Sequence, residues 1–146
     1  MRLNPSNEVS YKARLAAQYL MEAQEAFKWG NHRLAVASSQ LSVENSAKAV
    51  IALFRAPSWS HDPSHELLEV SSTLPPDLKK LAEELADITR QLAAEHGRAT
   101  YGEPFRGLTP WDLYDERSAF ETLSKARRAK EVMNLILRKL GVSLQE

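Results

Sequence analysis

The sequence predicts an all-α fold, a mainly antiparallel bundle of four long helices plus one short helix. Three observations carry that expectation. Glycine is scarce, five in 146 residues, so the intervals between helix breakers are long. Apolar residues recur at steps of three and four through those intervals, the mark of a helix with one buried face. No strand-like alternation, internal repeat or low-complexity tract interrupts them.

Each element has its own signals. The first helix runs from about Glu8 to Trp29, with Leu15, Ala16, Tyr19, Leu20, Ala23, Ala26 and Phe27 at helical spacing. "WGNHR" ends it: Gly30 suits a left-handed C-cap and Asn31 can cap the next helix. The second helix covers roughly His32 to Phe54, with Leu34, Ala37, Leu41, Ala47, Val50, Ile51 and Phe54 as apolar positions. After "APSWSHDPSH" a short helix, about Ser64 to Thr73, takes its start from Ser64 or Asp62-Pro63. "LPPD" stops it. Asp77 opens the next, whose Leu78, Leu81, Leu85, Ile88 and Leu92 form the cleanest stripe in the chain, up to about Glu95.

Residues 97–114 hold Gly97, Gly102, Pro104, Gly107 and Pro110 and read as a loop. Compact domains keep a loop of that length for function or leave it disordered. The last helix runs from about Asp115 to Leu140, with Phe120, Leu123, Ala126, Met133, Ile136, Leu137 and Leu140 inward. "GVSLQE" reads as a frayed tail. The length fits one domain, residues 1–146, with an ordered core of about 8–140.

Composition excludes several classes. With no cysteine there is no disulfide framework, thiolate metal site or thiol nucleophile. The first twenty residues contain no apolar signal region, and no apolar run approaches the roughly 20 residues of a membrane span. A soluble cytoplasmic protein is expected. Lys plus Arg number 19 and Asp plus Glu number 19, so the basic surplus of a general nucleic-acid binder is missing. Any RNA contact must come from a local concentration of charge. No glycine-rich phosphate loop, HExxH, His-x-x-x-His or carboxylate cluster is present, so neither an ATPase, a metal site nor a cofactor is expected.

The middle of the second helix is chemically odd. "QLSVENSAKAVIALF" sets Gln40, Glu44, Asn45 and Lys48 among apolar neighbours. Glu44 and Lys48 stand four apart with the acid first, the better orientation for a helical ion pair. Two readings stay open: a solvent-facing strip, which pattern alone favours, or a polar strip at a subunit contact or cleft, where buried polar groups must be paired.

This segment carries a family resemblance. "AFKWGNHRLAVASSQLSVENSAKAVIALF" resembles the first corner and second helix of the HEPN family, small all-α domains, with Glu44 and Lys48 at that family's Glu and Lys positions. "SHDPSHELLEV" resembles its third-helix start, with His65 at the histidine. "GRATYGEP" followed by "LYDERSAFETLSKARRAKEVMNLIL" resembles its later arginine corner and last helix, with Arg98 at the arginine. The likeness spans about residues 10–140. It implies a HEPN-like bundle and a homodimer. It also implies a separately encoded minimal nucleotidyltransferase as partner, the antitoxin of a toxin–antitoxin-like system.

Catalytic HEPN proteins are metal-independent RNases built on Arg-x4–6-His, two copies meeting across a homodimer. A histidine with a pKa near neutrality can move the proton of a ribose 2′-OH or of the leaving oxygen. An arginine can hold the scissile phosphate and its growing charge. Two pairs fit, Arg55 with His61 and Arg90 with His96. With eleven arginines and four histidines in the chain, roughly one such match arises by chance. Position therefore decides. Arg55 and His61 lie in the loop after the second helix, outside the family's usual site, and His61 reads as a turn or capping residue. Arg90 and His96 lie at the end of the fourth helix, with Gln91 as polar neighbour, and are the candidate catalytic pair.

Six residues at 100° each leave these two side chains about 120° apart. They share no face unless the helix end is irregular or a partner subunit completes the site. In HEPN toxins paired with nucleotidyltransferases a tyrosine usually stands two residues after the histidine. Here that position is Arg98, and Tyr101 comes later. If Arg98 is instead the aligned arginine, Glu103 stands where a histidine would be needed, which resembles the non-nuclease branch.

Remaining features have mainly structural readings. His65 reads as a partly buried helix-start residue or a lining residue of an inter-subunit cleft, and His32 as a surface residue. Trp111 and Tyr114 read as a staple for the long loop, with base stacking as the other option. Trp29 and Trp59 read as corner packing. Lys125, Arg127, Arg128 and Lys130 read as a solvated face, with Arg127 and Glu131 as an i, i+4 pair. The first functional reading is a non-catalytic nucleotide- or RNA-binding module using Arg98, Tyr101, His65, Glu44 and Lys48. The second is a metal-independent RNase toxin using Arg90 and His96. The third is a dimeric interaction protein without ligand.

Overall fold

Helix formers between well-placed breakers produce the expected all-α bundle. A computed structural model describes residues 5–142. Its α-helical elements are α1 (Pro5–Lys28), α2 (His32–Ile51), α3 (Ser64–Ser71), α4 (Pro76–Ala93), α5 (Glu95–Tyr101), α6 (Pro110–Leu113) and α7 (Glu116–Lys139). The four long helices are α1, α2, α4 and α7. Residues 143–146, most of the tail expected to fray, lie outside the described residues.

The corner after α1 turns as its sequence dictates. Gly30 takes φ 77°, a left-handed value that costs glycine little. The Asn31 side chain then accepts a hydrogen bond from Leu34 N at 3.2 Å, capping α2. Helix α2 ends at Ile51, short of the expected Phe54, and residues 52–54 continue as turns.

Residues 97–114 are the largest departure from expectation. Instead of one loop they form most of α5, a 3-10 turn (Pro104–Arg106) and α6. The prolines begin these pieces rather than break longer ones. Pro110 occupies the first turn of α6, and the Asp112 carboxylate reaches back to accept from Thr109 N and its hydroxyl, both at 2.9 Å. Gly102 is required where it stands. It adopts φ 72°, and a Cβ there would lie 2.3 Å from the Leu108 carbonyl oxygen, within the Glu103–Leu108 bridge.

Helix α2 is central and packs against all six other helices. Alanines keep α1 close to it: Ala13, Ala16 and Ala23 are buried, and Ser42 donates from its hydroxyl to the Ala16 carbonyl at 2.7 Å. The main core joins Val43, Val50 and Ile51 to Leu67, Leu85, Leu123, Met133, Ile136 and Leu137. Each fully buried leucine there contributes roughly 1.5–3 kcal/mol. Phe120, expected inward, stands at the edge of this core and tilts against Phe27 at 6.0 Å between ring centroids. Leu140 is likewise partly exposed. Among the described residues, no helix is long and apolar enough to cross a membrane.

Candidate functional site

Residues four apart on a helix share a face, so Gln40, Glu44 and Lys48 align on three successive turns of α2. That face is not solvent. The three residues are 2%, 6% and 4% exposed. Of the two readings open from sequence, the buried polar strip is the one found. A buried charge is tolerated only when paired and hydrogen-bonded, and Glu44 is both. Its Oε2 accepts from Lys48 Nζ at 3.0 Å and its Oε1 from Gln40 Nε2 at 3.2 Å.

Two histidines from elsewhere complete the cluster. His61 comes from the loop after α2, and its Nδ1 lies 3.0 Å from Glu44 Oε1. His96 comes from the first turn of α5, and its Nδ1 lies 3.0 Å from Gln40 Oε1. The rings stack, with centroids 3.5 Å apart and planes inclined by 18°. Proton positions follow from one fact, that an ionised carboxylate can only accept. Gln40 must therefore present its amide N–H to Glu44 and its carbonyl to His96, so His96 carries its proton on Nδ1. His61 likewise donates from Nδ1 to Glu44. Both Nε2 atoms are left as acceptors. Burial lowers the pKa of His96, repulsion from the His61 ring whenever that is protonated and from Lys48 lowers it further, and Glu44 opposes them.

Ala94 separates α4 from α5 yet keeps helical torsions, φ −62° and ψ −25°, and His96 follows it in the first turn of α5. Arg90 does not accompany His96. Arg90 donates to Asp87 at 3.1 Å on the exposed side of α4, and Gln91 donates to the same carboxylate at 2.9 Å. Within one subunit, no hydrogen bond joins Arg90 to His96 among the described residues.

Arg98 is also engaged. Its guanidinium donates to Glu103 at 3.0 Å and to Glu95, and it lies over the Tyr114 ring at 5.8 Å from the centroid. Burial opposes its charge, but Glu95 and Glu103 outweigh that and raise its pKa. The Tyr114 hydroxyl donates to Glu95, and burial followed by that carboxylate pushes the phenol above its ordinary pKa. Tyr101 and His65 are exposed and make none of the cluster's contacts.

Sequence reasoning thus found Glu44, Lys48 and His96 and missed His61 and the bridging role of Gln40. His61 lies 17 residues from Glu44, across a loop, so no helical spacing connects them. A faint signal was available in the polar residues beside it. Ser60 Oγ accepts from Asp62 N at 3.1 Å, and Asp62 Oδ1 accepts from Ser64 N at 3.1 Å, side-chain turns that order the loop. The metal question also changes in three dimensions. Ligand atoms of Glu44, His61 and His96 all lie within 4.8 Å of one another, although their spacing matches no ligand motif.

The remaining aromatic and basic residues lie outside this cluster. Trp111 packs with Arg33, whose guanidinium carbon lies 5.3 Å from the ring centroid and whose Nη1 donates to the Ala99 carbonyl at 2.7 Å. The Tyr114–Glu95 bond supplies the Tyr114 half of the expected staple, while Trp111 stays 70% exposed. Trp29 and Trp59, expected to pack at corners, are instead 80% and 93% exposed. On α7, Arg128 rather than Arg127 takes Glu131, at 2.8 Å, and grips Glu84 at 2.6 and 2.9 Å.

Fold and site together define the class: a small all-α bundle whose second helix carries a buried acid–base strip opening onto two histidines. A family model described as HEPN domain matches residues 10–140. The chain belongs to the HEPN domain family, and membership places it among nucleotide- or RNA-related modules. Among solved structures, TT1696 from Thermus thermophilus is similar, with TM-score 0.67 and 20% identity over 90% of this chain and 99% of that one. The likeness shows a shared fold. A search of curated proteins gave no match.

Proposed function

We propose that the chain is a non-catalytic module that binds a nucleotide unit, free or within RNA, through the strip of α2 and its two histidines. In this reading it works as a homodimer with a separately encoded nucleotidyltransferase, in a toxin–antitoxin-like system.

The observation that carries the reading is the buried Gln40–Glu44–Lys48 strip capped by stacked, partly exposed imidazoles. Buried charge of this kind weakens a fold relative to apolar packing unless it serves another purpose. The ligand chemistry is specific. Two Nε2 acceptors suit the exocyclic N–H donors of a base, and the outer face of the half-exposed His61 ring offers a stacking platform. Arg90 and Arg98, the arginines that the family pattern would assign to phosphate, are held by Asp87 and by Glu95 with Glu103. The Arg98 pairing, partly buried and shared by two carboxylates, supports binding over cleavage more than the exposed Arg90–Asp87 pair does.

One observation favours the RNase reading. The lowered pKa of His96 favours the neutral ring, the form a general base needs. One experiment separates the readings. Equilibrium binding of AMP, ATP and a short single-stranded RNA is measured for the wild type, His61→Ala, His96→Ala and Arg90→Ala, with RNA cleavage assayed in EDTA alongside. The proposal expects saturable binding, weakened about tenfold or more in His61→Ala by loss of a stacking contact and unchanged in Arg90→Ala, without cleavage. Cleavage abolished by both Arg90→Ala and His96→Ala overturns it in favour of the nuclease. Neither binding nor cleavage overturns it in favour of an interaction protein without ligand.

A further inference from the structure

We propose that Glu44, His61 and His96 form a binding site for one divalent transition-metal cation, with Zn2+ the best fit. This does not rest on the nucleotide reading, because the metal alone is the ligand.

Three observations carry it. The first is the donor set. Two imidazole nitrogens and one carboxylate oxygen lie within 4.8 Å of one another, on three separate segments of the chain. Two histidines and one carboxylate, with remaining positions left to water or an incoming ligand, is an established arrangement for open zinc sites. Imidazole lone pairs lie in the ring planes, which are stacked here at 3.5 Å and 18°, so binding requires His61 to turn out of the stack. Its side chain, 55% exposed, has the room to do so.

The second is the support around the donors. A metal-binding histidine normally donates its other ring N–H to an acceptor that fixes tautomer and orientation. Gln40 does this for His96, accepting from Nδ1 at 3.0 Å and leaving the Nε2 lone pair free. Gln40 is itself fixed by its bond to Glu44 at 3.2 Å. Lys48 bonds Oε2 of Glu44 at 3.0 Å, while Oε1, which accepts from Gln40 and His61, faces the histidines. The ammonium and the proposed cation therefore sit on opposite oxygens of one carboxylate.

The third is the nitrogen that faces the carboxylate. His61 Nδ1 lies 3.0 Å from Glu44 Oε1, so a cation taking the place of the Nδ1 proton would meet both atoms, with His61 keeping its proton on Nε2. The ring stack, with centroids 3.5 Å apart, holds His96 beside that point. The same chemistry sets selectivity. Imidazole suits zinc and its first-row neighbours, whereas Mg2+ and Ca2+ require oxygen-rich shells that this cluster lacks.

The test uses the untagged full chain, stripped with EDTA and dialysed free of it. It is titrated calorimetrically with ZnCl2, with MgCl2 as control, and CoCl2 is added separately to read the visible bands of low-coordinate Co2+. The expected result is one Zn2+ per chain, no Mg2+ binding, and a cobalt spectrum that Zn2+ abolishes. His61→Ala and His96→Ala should each weaken Zn2+ by about 100-fold or more, and Gln40→Ala, one step removed, by about tenfold. His32→Ala and His65→Ala should leave it unchanged. His61 projects from a loop, so its alanine variant tests the site without disturbing the core. Absent Zn2+ binding, or binding that survives His61→Ala and His96→Ala or moves with His65→Ala, overturns the proposal.

Discussion

Two polar networks lie at the joints of this bundle, and they are opposites. Around Arg98, every charge is spent: Glu95 and Glu103 take the guanidinium, and Glu95 also takes the Tyr114 hydroxyl. Around Glu44, the buried charges are matched, yet two ring nitrogens remain available beside them. The first network consumes its chemistry in holding α5 and α6 to the bundle. The second keeps some to offer. Residue type does not separate the two, since an arginine with an adjacent tyrosine looks at least as functional in sequence as a glutamine and a loop histidine. What separates them is the capacity left over after internal pairing.

The contrast can be broken most forcefully at Glu44. Glu44→Leu strands the buried Lys48 ammonium and should cost about 3–5 kcal/mol, read from urea unfolding. Glu44→Leu with Lys48→Met removes both charges and should recover most of that loss. If the single variant proves as stable as the wild type, the strip is hydrated and the contrast fails. A smaller effect is expected at Gly102→Ala, where φ 72° and the Leu108 carbonyl leave no room for a Cβ. A loss exceeding about 1 kcal/mol is expected, with amide protection falling selectively in residues 97–114 by hydrogen exchange.

Arg98→Ala and His61→Ala sharpen the contrast as a pair. Arg98→Ala should lower stability by about 1 kcal/mol through lost hydrogen bonds and leave nucleotide and Zn2+ affinity within about twofold. His61→Ala should do the reverse in isothermal titration and thermal unfolding. The weakest effect concerns pH. Asp115, which caps α7 by accepting from Ser118 N at 2.8 Å, has its pKa lowered first by that bond, as Asp77 does through Lys139. A carboxylate depressed in the folded state stabilises above its unfolded pKa of about 4 and loses that contribution as pH falls. Unfolding midpoints should thus decline below about pH 4, less steeply in Asp115→Asn.

Much of the fold was legible because the long helices are bounded by strong punctuation, Gly30 and Asn31 at one corner and Pro75, Pro76 and Asp77 at another. The short helices of residues 97–114 were not, because Pro104 and Pro110 read as breakers when they are first-turn residues. Of the site, the strip on α2 was legible as an anomaly, polar residues at helical spacing in an apolar run. Its burial was not, since a helix in contact with all six others has no solvent face for pattern to reveal. The His61 contact was least legible, because it depends on a loop folding back across 17 residues.

The placement of the strip on the most central helix gives the cluster two unequal jaws. Gln40, Glu44 and Lys48 are buried on the helix that packs against all six others, where local opening is expected to cost most. His61 stands on an exposed loop, where opening is expected to cost least. In the proposed binding role, substitutions in the loop of residues 52–63 should therefore change ligand exchange rates more than substitutions in the bundle.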